Sequence, residues 1–234
     1  MVFKTLKQLV VNHLTDISLK LVKRTFFHPI RYLEHDSIKE SAAFIKTHLN
    51  HISLFDSKKG LYFRYLMEEV KKIKNPGLWL EFGVRDGVSA KFFSQYAKDL
   101  ALDNCIYGFD SFEGIRDNWS SIGEPTGSFS LGGKVPKAIP NCTFVVGWVE
   151  DTLENFLEQH PSSINFDFDV YPPTKFALSK VVDRLVPGTI ILFDEFHGYP
   201  GWQFHEKKAL DEVLQPEKYT FIAFSRKQAA IRII

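Results

Sequence analysis

The chain from Leu78 onward alternates short apolar runs with stretches of helical spacing, and this alternation constrains the fold more than any other feature. The apolar runs are residues 78–82, 106–109, 143–146, 164–168 and 189–193, and the helical stretches are 87–100, 151–160 and 174–185. Strands that alternate with helices pair in parallel, because each helix crosses from one strand to the next. The pattern predicts an α/β fold with a Rossmann-like, doubly wound and mostly parallel seven-stranded sheet.

The end of the chain departs from this alternation. Residues 219–225 and 229–234 are two β-rich runs, separated by Arg226, Lys227 and Gln228. Two such runs with a short link predict a C-terminal antiparallel hairpin that closes the sheet edge. The stretch 113–140 is rich in Gly, Ser and Pro and predicts a long loop over the site, which we call the cover loop.

Residues 1–75 differ from the rest and predict an N-terminal helical extension ahead of a main domain at 76–234. Apolar residues recur at helical steps from Phe3 to Leu21, and the first 31 residues carry six basic side chains against Asp16 alone. Such a helix suits packing on the main domain or on a second subunit; contact with anionic lipid and an import signal are the alternatives. His28 and Pro29 break the pattern, and further helices are predicted at 37–51 and 60–74.

Composition narrows the classes of partner. With 29 basic and 28 acidic side chains the net charge is +1, which disfavours nucleic acid because phosphate binding needs a basic excess. The two cysteines, Cys105 and Cys142, cannot build a disulfide framework or a cysteine-rich zinc site. No apolar run reaches the roughly 18 residues of a membrane span, and no signal peptide is visible. We expect a cytoplasmic protein without nucleic acid or integral membrane as its partner.

Two glycines lie where the first predicted strand turns into a helix. Gly83 and Gly87 enclose Val84, Arg85 and Asp86, and a glycine turn at this edge of the sheet lets the backbone approach a ligand. A dinucleotide fingerprint would require G-x-G-x-x-G, and Arg85 stands at its middle glycine. The turn therefore favours a nucleoside without phosphates over NAD.

The next two predicted strands also end in residues that suit a nucleoside. Asp110 ends the second strand, where an acid can accept hydrogen bonds from ribose hydroxyls. Capping of a following helix by Asp110 and Ser111 is the alternative. The third strand ends at Gly147 and Trp148, and the indole ring either covers an adenine or belongs to the core.

Acidic residues follow the fourth and fifth predicted strands. The acidic cluster consists of Asp167 and Asp169 after one strand and Asp194 and Glu195 after the other. Period-two spacing places the first two on one face, and neighbouring strand ends bring the four together. Converging carboxylates repel one another unless a cation or protons intervene, and oxygen donors favour Mg²⁺, Mn²⁺ or Ca²⁺ over zinc. Helix capping by Asp169 and a turn role for Asp194 are the alternatives.

His197 lies two residues beyond the acidic cluster. An imidazole there is a candidate general base near neutral pH, and a hydrogen-bonded loop histidine is the alternative. The chain lacks the G-x-S-x-G turn of a serine hydrolase, which disfavours that class.

Taken in order, these motifs resemble the class I S-adenosylmethionine-dependent methyltransferases, and among them the macrocin O-methyltransferase-like family. The matching segments are LEFGVRDGVSA (80–90), YGFDSFEG (107–114), VVGWVEDTL (145–153), FDFDVYPPTKFAL (166–178), VPGTIILFDEF (186–196) and YPGWQFHE (199–206). The resemblance begins near residue 60, and the first 50 residues match no family.

The resemblance implies S-adenosylmethionine as the cofactor and Mg²⁺, or another divalent cation, as a second group. It implies that the methionine and ribose parts border Glu81, Gly83 and Gly87, that the ribose contacts Asp110 and Ser111, and that the adenine lies near Gly147, Trp148 and Asp151. It implies metal ligation by Asp167 or Asp169 with Asp194 and Glu195, although the family more often has two aspartates at the last pair.

The implied reaction is an in-line attack of an acceptor hydroxyl on the sulfonium methyl group. The metal would hold the hydroxyl, and Asp167 or His197 would take its proton. We expect a small-molecule acceptor of the sugar or natural-product type. The N-terminal helices are expected to close over it or to form a homo-oligomer. A nucleotide-dependent oxidoreductase, a sugar-nucleotide enzyme on the same sheet and a non-catalytic docking module are the alternatives.

Overall fold

The computed structural model describes residues 17, 28–57, 62–73, 77–99, 101, 106–159 and 161–234. The predicted basic helix between Phe3 and Leu21 therefore lies almost entirely outside the described residues. Among the described helices, none combines the length and apolarity that a membrane crossing would need.

Helices and strands alternate along the chain much as the sequence predicts. The helices are α1 (Pro29–Lys46), α2 (Phe63–Val70), α3 (Val88–Asp99), α4 (Val149–Thr152), α5 (Tyr171–Val181) and α6 (Glu206–Val213). The strands are β1 (Ser53–Leu54), β2 (Leu78–Phe82), β3 (Ile106–Asp110), β4 (Cys142–Val146), β5 (Pro161–Phe166), β6 (Ile190–Phe193), β7 (Tyr219–Phe224) and β8 (Ala229–Ile233).

The strands form one sheet in the order β1-β7-β8-β6-β5-β2-β3-β4. All neighbours pair in parallel except β8, which is antiparallel to both β6 and β7. This confirms the predicted α/β class and the C-terminal hairpin. The sheet has eight strands rather than seven, because the two residues of β1 pair with β7 at the edge. A strand of two residues has no periodicity for a sequence pattern to reveal.

Helices cover both faces of the sheet, which makes the fold doubly wound. One face carries α5, α6 and the apolar side of α1, and the other carries α2 and α3.

Two predicted helices differ from the structure. The helix predicted at 37–51 is α1, which begins earlier, at Pro29, because proline suits the first turn of a helix, and ends at Lys46. The helix predicted at 151–160 is a single turn, α4, continued by the 3₁₀ turn Leu153–Phe156.

Four phenylalanines form a row across the middle of the sheet, which we call the phenylalanine row. Phe109, Phe82, Phe166 and Phe193 lie on β3, β2, β5 and β6, and each is opposite the next in the strand register. Neighbouring ring centroids are 5.1, 5.1 and 5.3 Å apart, and all four side chains are fully buried. The residues that follow them in the chain are Asp110, Gly83, Asp167 and Asp194. The row is thus core packing directly beneath the predicted site.

Candidate active site

A cavity of about 530 Å³ lies at the carboxyl ends of the central parallel strands, a volume typical of small-molecule sites. The cover loop forms one wall of it, as predicted, through residues 114–117 together with Trp119, Ile122 and Phe129. The predicted site residues in the wall are Gly83, Asp110, Ser111, Gly147, Trp148, Asp167, Asp169, Asp194 and Glu195. Four predicted site residues are not part of the wall, namely Glu81, Gly87, Asp151 and His197.

Gly83 lies in close contact with the backbone of a neighbouring segment in the cavity wall. Its φ of +85° is unfavourable for any residue with a Cβ, and a Cβ built there would lie 1.9 Å from the carbonyl oxygen of Asp167. Its N–H donates to the carbonyl of Phe109 at 2.9 Å. A glycine at this position therefore lets the turn after β2 pack directly against the chain that leaves β5.

The Asp110 carboxylate holds the glycine turn in place. Its Oδ2 accepts from the backbone N–H groups of Val84 and Arg85 at 2.8 and 2.6 Å, and its Oδ1 accepts from the N–H of Phe112 at 2.7 Å. A carboxylate has about four acceptor positions, so roughly one is left for a ligand. The sequence predicts a ribose contact for Asp110 and misses this positioning role, which depends on how two loops meet in space.

Glu81 is buried below the glycine turn and does not reach the cavity wall. Its Oε1 accepts hydrogen bonds from the Ser89 hydroxyl on α3 and, at 3.3 Å, from the Asn165 amide on β5. Glu81 thus ties the first strand of the site to a helix and to the neighbouring strand.

The predicted adenine side contains an unexpected stack. The guanidinium carbon of Arg116, in the cover loop, lies 4.1 Å from the centre of the Trp148 ring, within the range of a cation–π contact. Arg116 also pairs with Glu150 at 3.6 Å, and Glu150 lines the cavity where Asp151 was predicted. Asp151 is exposed on the outside of α4. A single arginine in a glycine-rich loop carries no sequence signal that would have paired it with Trp148.

The backbone of Asp194 and Glu195 is fixed from three directions. The Gln228 amide donates to the Asp194 carbonyl at 2.9 Å, and the Tyr199 hydroxyl donates to the Glu195 carbonyl at 2.9 Å. The Glu195 N–H donates to a carboxylate oxygen of Glu206 at 3.0 Å. Complete burial raises the pKa of Glu206 well above its ordinary value, and the nearby charge of Asp194 adds to this. Sequence reasoning missed Tyr199, Glu206 and Gln228 as positioning residues.

The acidic cluster shares one cavity but differs in detail from the sequence prediction. Strand β5 ends at Phe166, and Asp169 has a φ of +66°. Asp167 and Asp169 therefore do not belong to a strand, and period-two spacing does not put their carboxylates on one face. The Glu195 Oε2 lies 3.1 Å from the Lys227 Nζ, a residue that the sequence assigned only to the hairpin link. Among the described residues, no three histidine, cysteine, aspartate or glutamate side chains are grouped so as to hold a metal ion. As they stand, these residues do not fit the three-carboxylate metal site that the resemblance implies.

His197 lies beneath the hairpin and away from the cavity wall, with 3% of its surface exposed. Burial lowers the pKa of its imidazole from 6.5 to about 4. At neutral pH the ring is therefore uncharged and a weak base, and it does not line the cavity.

The buried imidazole predicts a loss of stability in acid. Between pH 6.5 and about 4 the unfolded chain binds a proton at His197 that the folded chain does not, so stability falls as the pH falls through this window. The free energy of unfolding that this residue costs in acid reaches about 3 kcal/mol, since each unit of difference between its pKa in the folded and unfolded chains corresponds to roughly 1.4 kcal/mol. Urea unfolding at pH 7 and pH 4.5 should show that His197→Gln reduces this acid sensitivity. The same change at the exposed His35 should leave it unaltered, and equal slopes for all three proteins would contradict the prediction.

Comparisons with known proteins agree with this architecture. The sequence profile of a family described as a methyltransferase domain matches residues 80–196, which is half of the chain. No curated protein sequence matches significantly.

Solved structures share the fold at low sequence identity. A crystal structure of CalS11, a calicheamicin methyltransferase, is 21% identical with a TM-score of 0.59, over 75% of this chain and 80% of that one. The apo structure of CalS11, there described as a TDP-rhamnose 3′-O-methyltransferase, is 24% identical with a TM-score of 0.55, over 74% and 77%. The O-methyltransferase NovP is 18% identical with a TM-score of 0.58, over 74% and 78%.

Proposed function

Because the chain belongs to the methyltransferase domain family, we propose that it transfers a methyl group from S-adenosylmethionine to a hydroxyl of a small molecule of the sugar or natural-product type. The observation that carries this proposal is the meeting of the glycine turn and the acidic cluster in one cavity. CalS11 and NovP, which share the fold, are both described as O-methyltransferases, and this supports oxygen as the atom that receives the methyl group.

The charge of the cavity supports a cationic cofactor. Eight acidic side chains line it, against the three basic side chains of Arg85, Arg116 and Lys227. An excess of negative charge attracts the sulfonium and ammonium groups of S-adenosylmethionine and repels the diphosphate of NAD. The alternative of a nucleotide-dependent oxidoreductase is disfavoured by this charge and by Arg85 at the position of the fingerprint glycine.

The placement of the residues supports the following roles. The cofactor's ribose and adenine would lie along Gly83, Ser111, Gly147 and Trp148, with the sulfonium directed toward the acidic cluster. When bound, the cofactor would supply an electrophilic methyl group for attack by an acceptor oxygen, with S-adenosylhomocysteine as the leaving group. The hydroxyl proton passes to the Asp167 carboxylate. The protein's main contribution is to align oxygen, carbon and sulfur while the cover loop excludes water.

Trp119, Ile122 and Phe129 of the cover loop, together with Val170 and Pro173, would give an acceptor an apolar wall. Such a wall suits the flat or apolar face of a ring that carries the reacting hydroxyl. A role for His197 as the base is not part of this proposal, because its ring lies outside the wall. Metal ligation by Asp167, Asp169, Asp194 and Glu195 is not part of this proposal either, because the described residues are not grouped so as to hold a metal ion.

Calorimetry with S-adenosylmethionine tests the cofactor assignment. We expect saturable binding of S-adenosylmethionine and S-adenosylhomocysteine and weaker or undetectable binding of NAD. Asp110→Ala should weaken S-adenosylmethionine binding at least tenfold, because two N–H groups of the glycine turn and the N–H of Phe112 lose their acceptor. Asp151→Asn should bind like the original protein, since Asp151 lies outside the cavity. No heat at millimolar S-adenosylmethionine, or tighter binding of NAD, would overturn the proposal.

A further inference from the structure

Arg85 lies in the middle of the glycine turn in a strained backbone conformation. Its φ of +50° belongs to the left-handed region, which favours glycine and is unfavourable for a residue with a long side chain. The Asp110 carboxylate holds this conformation by accepting from the Arg85 N–H at 2.6 Å. Strain of this kind persists only where surrounding contacts maintain it, and it is concentrated at binding sites. The side chain that starts from this fixed backbone lines the cavity.

Phe129 of the cover loop is a second strained residue of the same wall. Its φ is +66°, and its half-buried ring packs against a cluster formed by Trp119, Val170, Tyr199 and Trp202. The guanidinium carbon of Arg85 lies 5.4 Å from the centre of this ring, within the range of a cation–π contact. Two strained segments from different parts of the chain thus hold a guanidinium against an anchored aromatic ring.

Arg85 differs from the other two basic side chains of the wall in its partners. Arg116 pairs with Glu150 at 3.6 Å. Lys227 pairs with Glu195 at 3.1 Å. Within the part of the chain that the structure describes, Arg85 forms no ion pair, although its side chain is exposed in a cavity rich in acids. A guanidinium carries five N–H donors in a planar fork that matches both oxygens of a carboxylate. These donors are therefore left for a ligand.

We propose that Arg85 recognises a carboxylate group of the methyl acceptor, so that the substrate is a hydroxylated ring compound that also carries a carboxylic acid; this inference rests on the proposed function. Phe129 belongs to the apolar wall that suits the acceptor ring, and a ring placed against it meets the guanidinium of Arg85. Stacking on Phe129 leaves the edge of the guanidinium plane, where its N–H groups lie, open to the acid.

The charge of the wall determines how such a substrate is oriented. Eight acidic side chains line the cavity, and they repel a carboxylate except beside a cation that no acid neutralises. The acid end of the substrate is therefore directed to Arg85, and its hydroxyl end is left for the acidic cluster. A phosphate with two charges is repelled more strongly than a carboxylate with one, which favours a carboxylic acid as the class of substrate.

Calorimetry on the protein saturated with S-adenosylhomocysteine tests this recognition with matched probes. The probes are protocatechuate and its amide, and galacturonate and its amide, so each pair shares a ring and its hydroxyl groups and differs in charge. We expect at least one acid to bind tenfold or more tightly than its amide, since hydrogen bonds between two charged groups are the strong ones. Arg85→Met should reduce this preference below threefold, and Arg85→Lys should retain part of it. Both variants keep the backbone N–H that Asp110 accepts.

Arg226→Met is the matched control. Arg226 pairs with Asp56 at 3.3 Å and does not line the cavity, so its loss should leave the preference for the acid unchanged. The proposal is overturned if neither acid binds more tightly than its amide at millimolar concentration, or if Arg85→Met keeps the preference. It is also overturned if Arg85→Met weakens S-adenosylhomocysteine itself tenfold, because the guanidinium would then serve the carboxylate of the cofactor. Saturable S-adenosylhomocysteine binding without any preference for an acid would contradict this inference and leave the proposed function intact.

Discussion

Gly83→Ala should abolish S-adenosylmethionine binding and lower the free energy of unfolding by several kcal/mol. A Cβ at this position would lie 1.9 Å from the carbonyl oxygen of Asp167, far inside van der Waals contact. The obstacle is backbone on both sides, so neither side chain rotation nor a small shift relieves it. The turn and the chain after β5 must separate, and the cavity wall that they share loses its shape. Calorimetry of the cofactor and urea unfolding measure the two effects.

Gly123→Ala separates this clash from the conformational cost of a positive φ. Gly123 has a φ of +82°, nearly that of Gly83, but an added Cβ meets no atom within 4 Å. The free energy of unfolding of Gly123→Ala should therefore fall only by the roughly 1 kcal/mol that an alanine in the left-handed region costs, and its affinity for the cofactor should not change. Equal losses in the two variants would mean that the close approach to Asp167 is unimportant.

Phe166→Ala, a truncation within the phenylalanine row, is expected to lower the free energy of unfolding by about 3–5 kcal/mol. Phe166 packs between Phe82 and Phe193 at centroid distances of 5.1 and 5.3 Å and is fully buried. The change leaves a cavity in the middle of the sheet and removes two ring contacts. Urea denaturation reports the loss.

The comparison for this prediction is Phe204→Ala. Phe204 is 69% exposed, so the same truncation there should cost less than about 1 kcal/mol. If Phe166→Ala lowers the free energy of unfolding no more than Phe204→Ala does, packing within the phenylalanine row does not stabilise the protein.

The sequence predicts those parts of the fold that local periodicity determines. The apolar run at 78–82 corresponds to β2 residue for residue, and the run at 189–193 differs from β6 by one residue. Parallel pairing and the hairpin follow from the order of these runs. The acids and glycines of the site could be placed at one edge for the same reason, because the carboxyl ends of parallel strands meet there.

Roles that depend on contacts between distant segments could not be predicted in this way. Asp110 and Val84 are far apart in the chain, and their hydrogen bond shows that a residue predicted to contact a ligand also supports the glycine turn. Tyr199 and Glu206 stand in a motif of the resemblance, but their bonds to the Glu195 backbone appear only when the loop is folded. In the sequence, Lys227 is an ordinary residue of a hairpin link, and its ion pair with Glu195 is visible only in the folded structure.

The phenylalanine row also affects how strongly the site attracts charge. Hydrocarbon rings cannot reorient to solvate an ion, so the rings beneath Asp167 and Asp194 offer their carboxylates no solvation, and both residues line the cavity on the other side. When a ligand fills that side, the local permittivity falls and the attraction between these carboxylates and a sulfonium grows. In the proposed reaction, methyl transfer would convert the sulfonium to a neutral thioether, which would remove the attraction between the carboxylates and the sulfonium. In the proposed reaction, the phenylalanine row would therefore help the site to retain the methyl donor and to release the product.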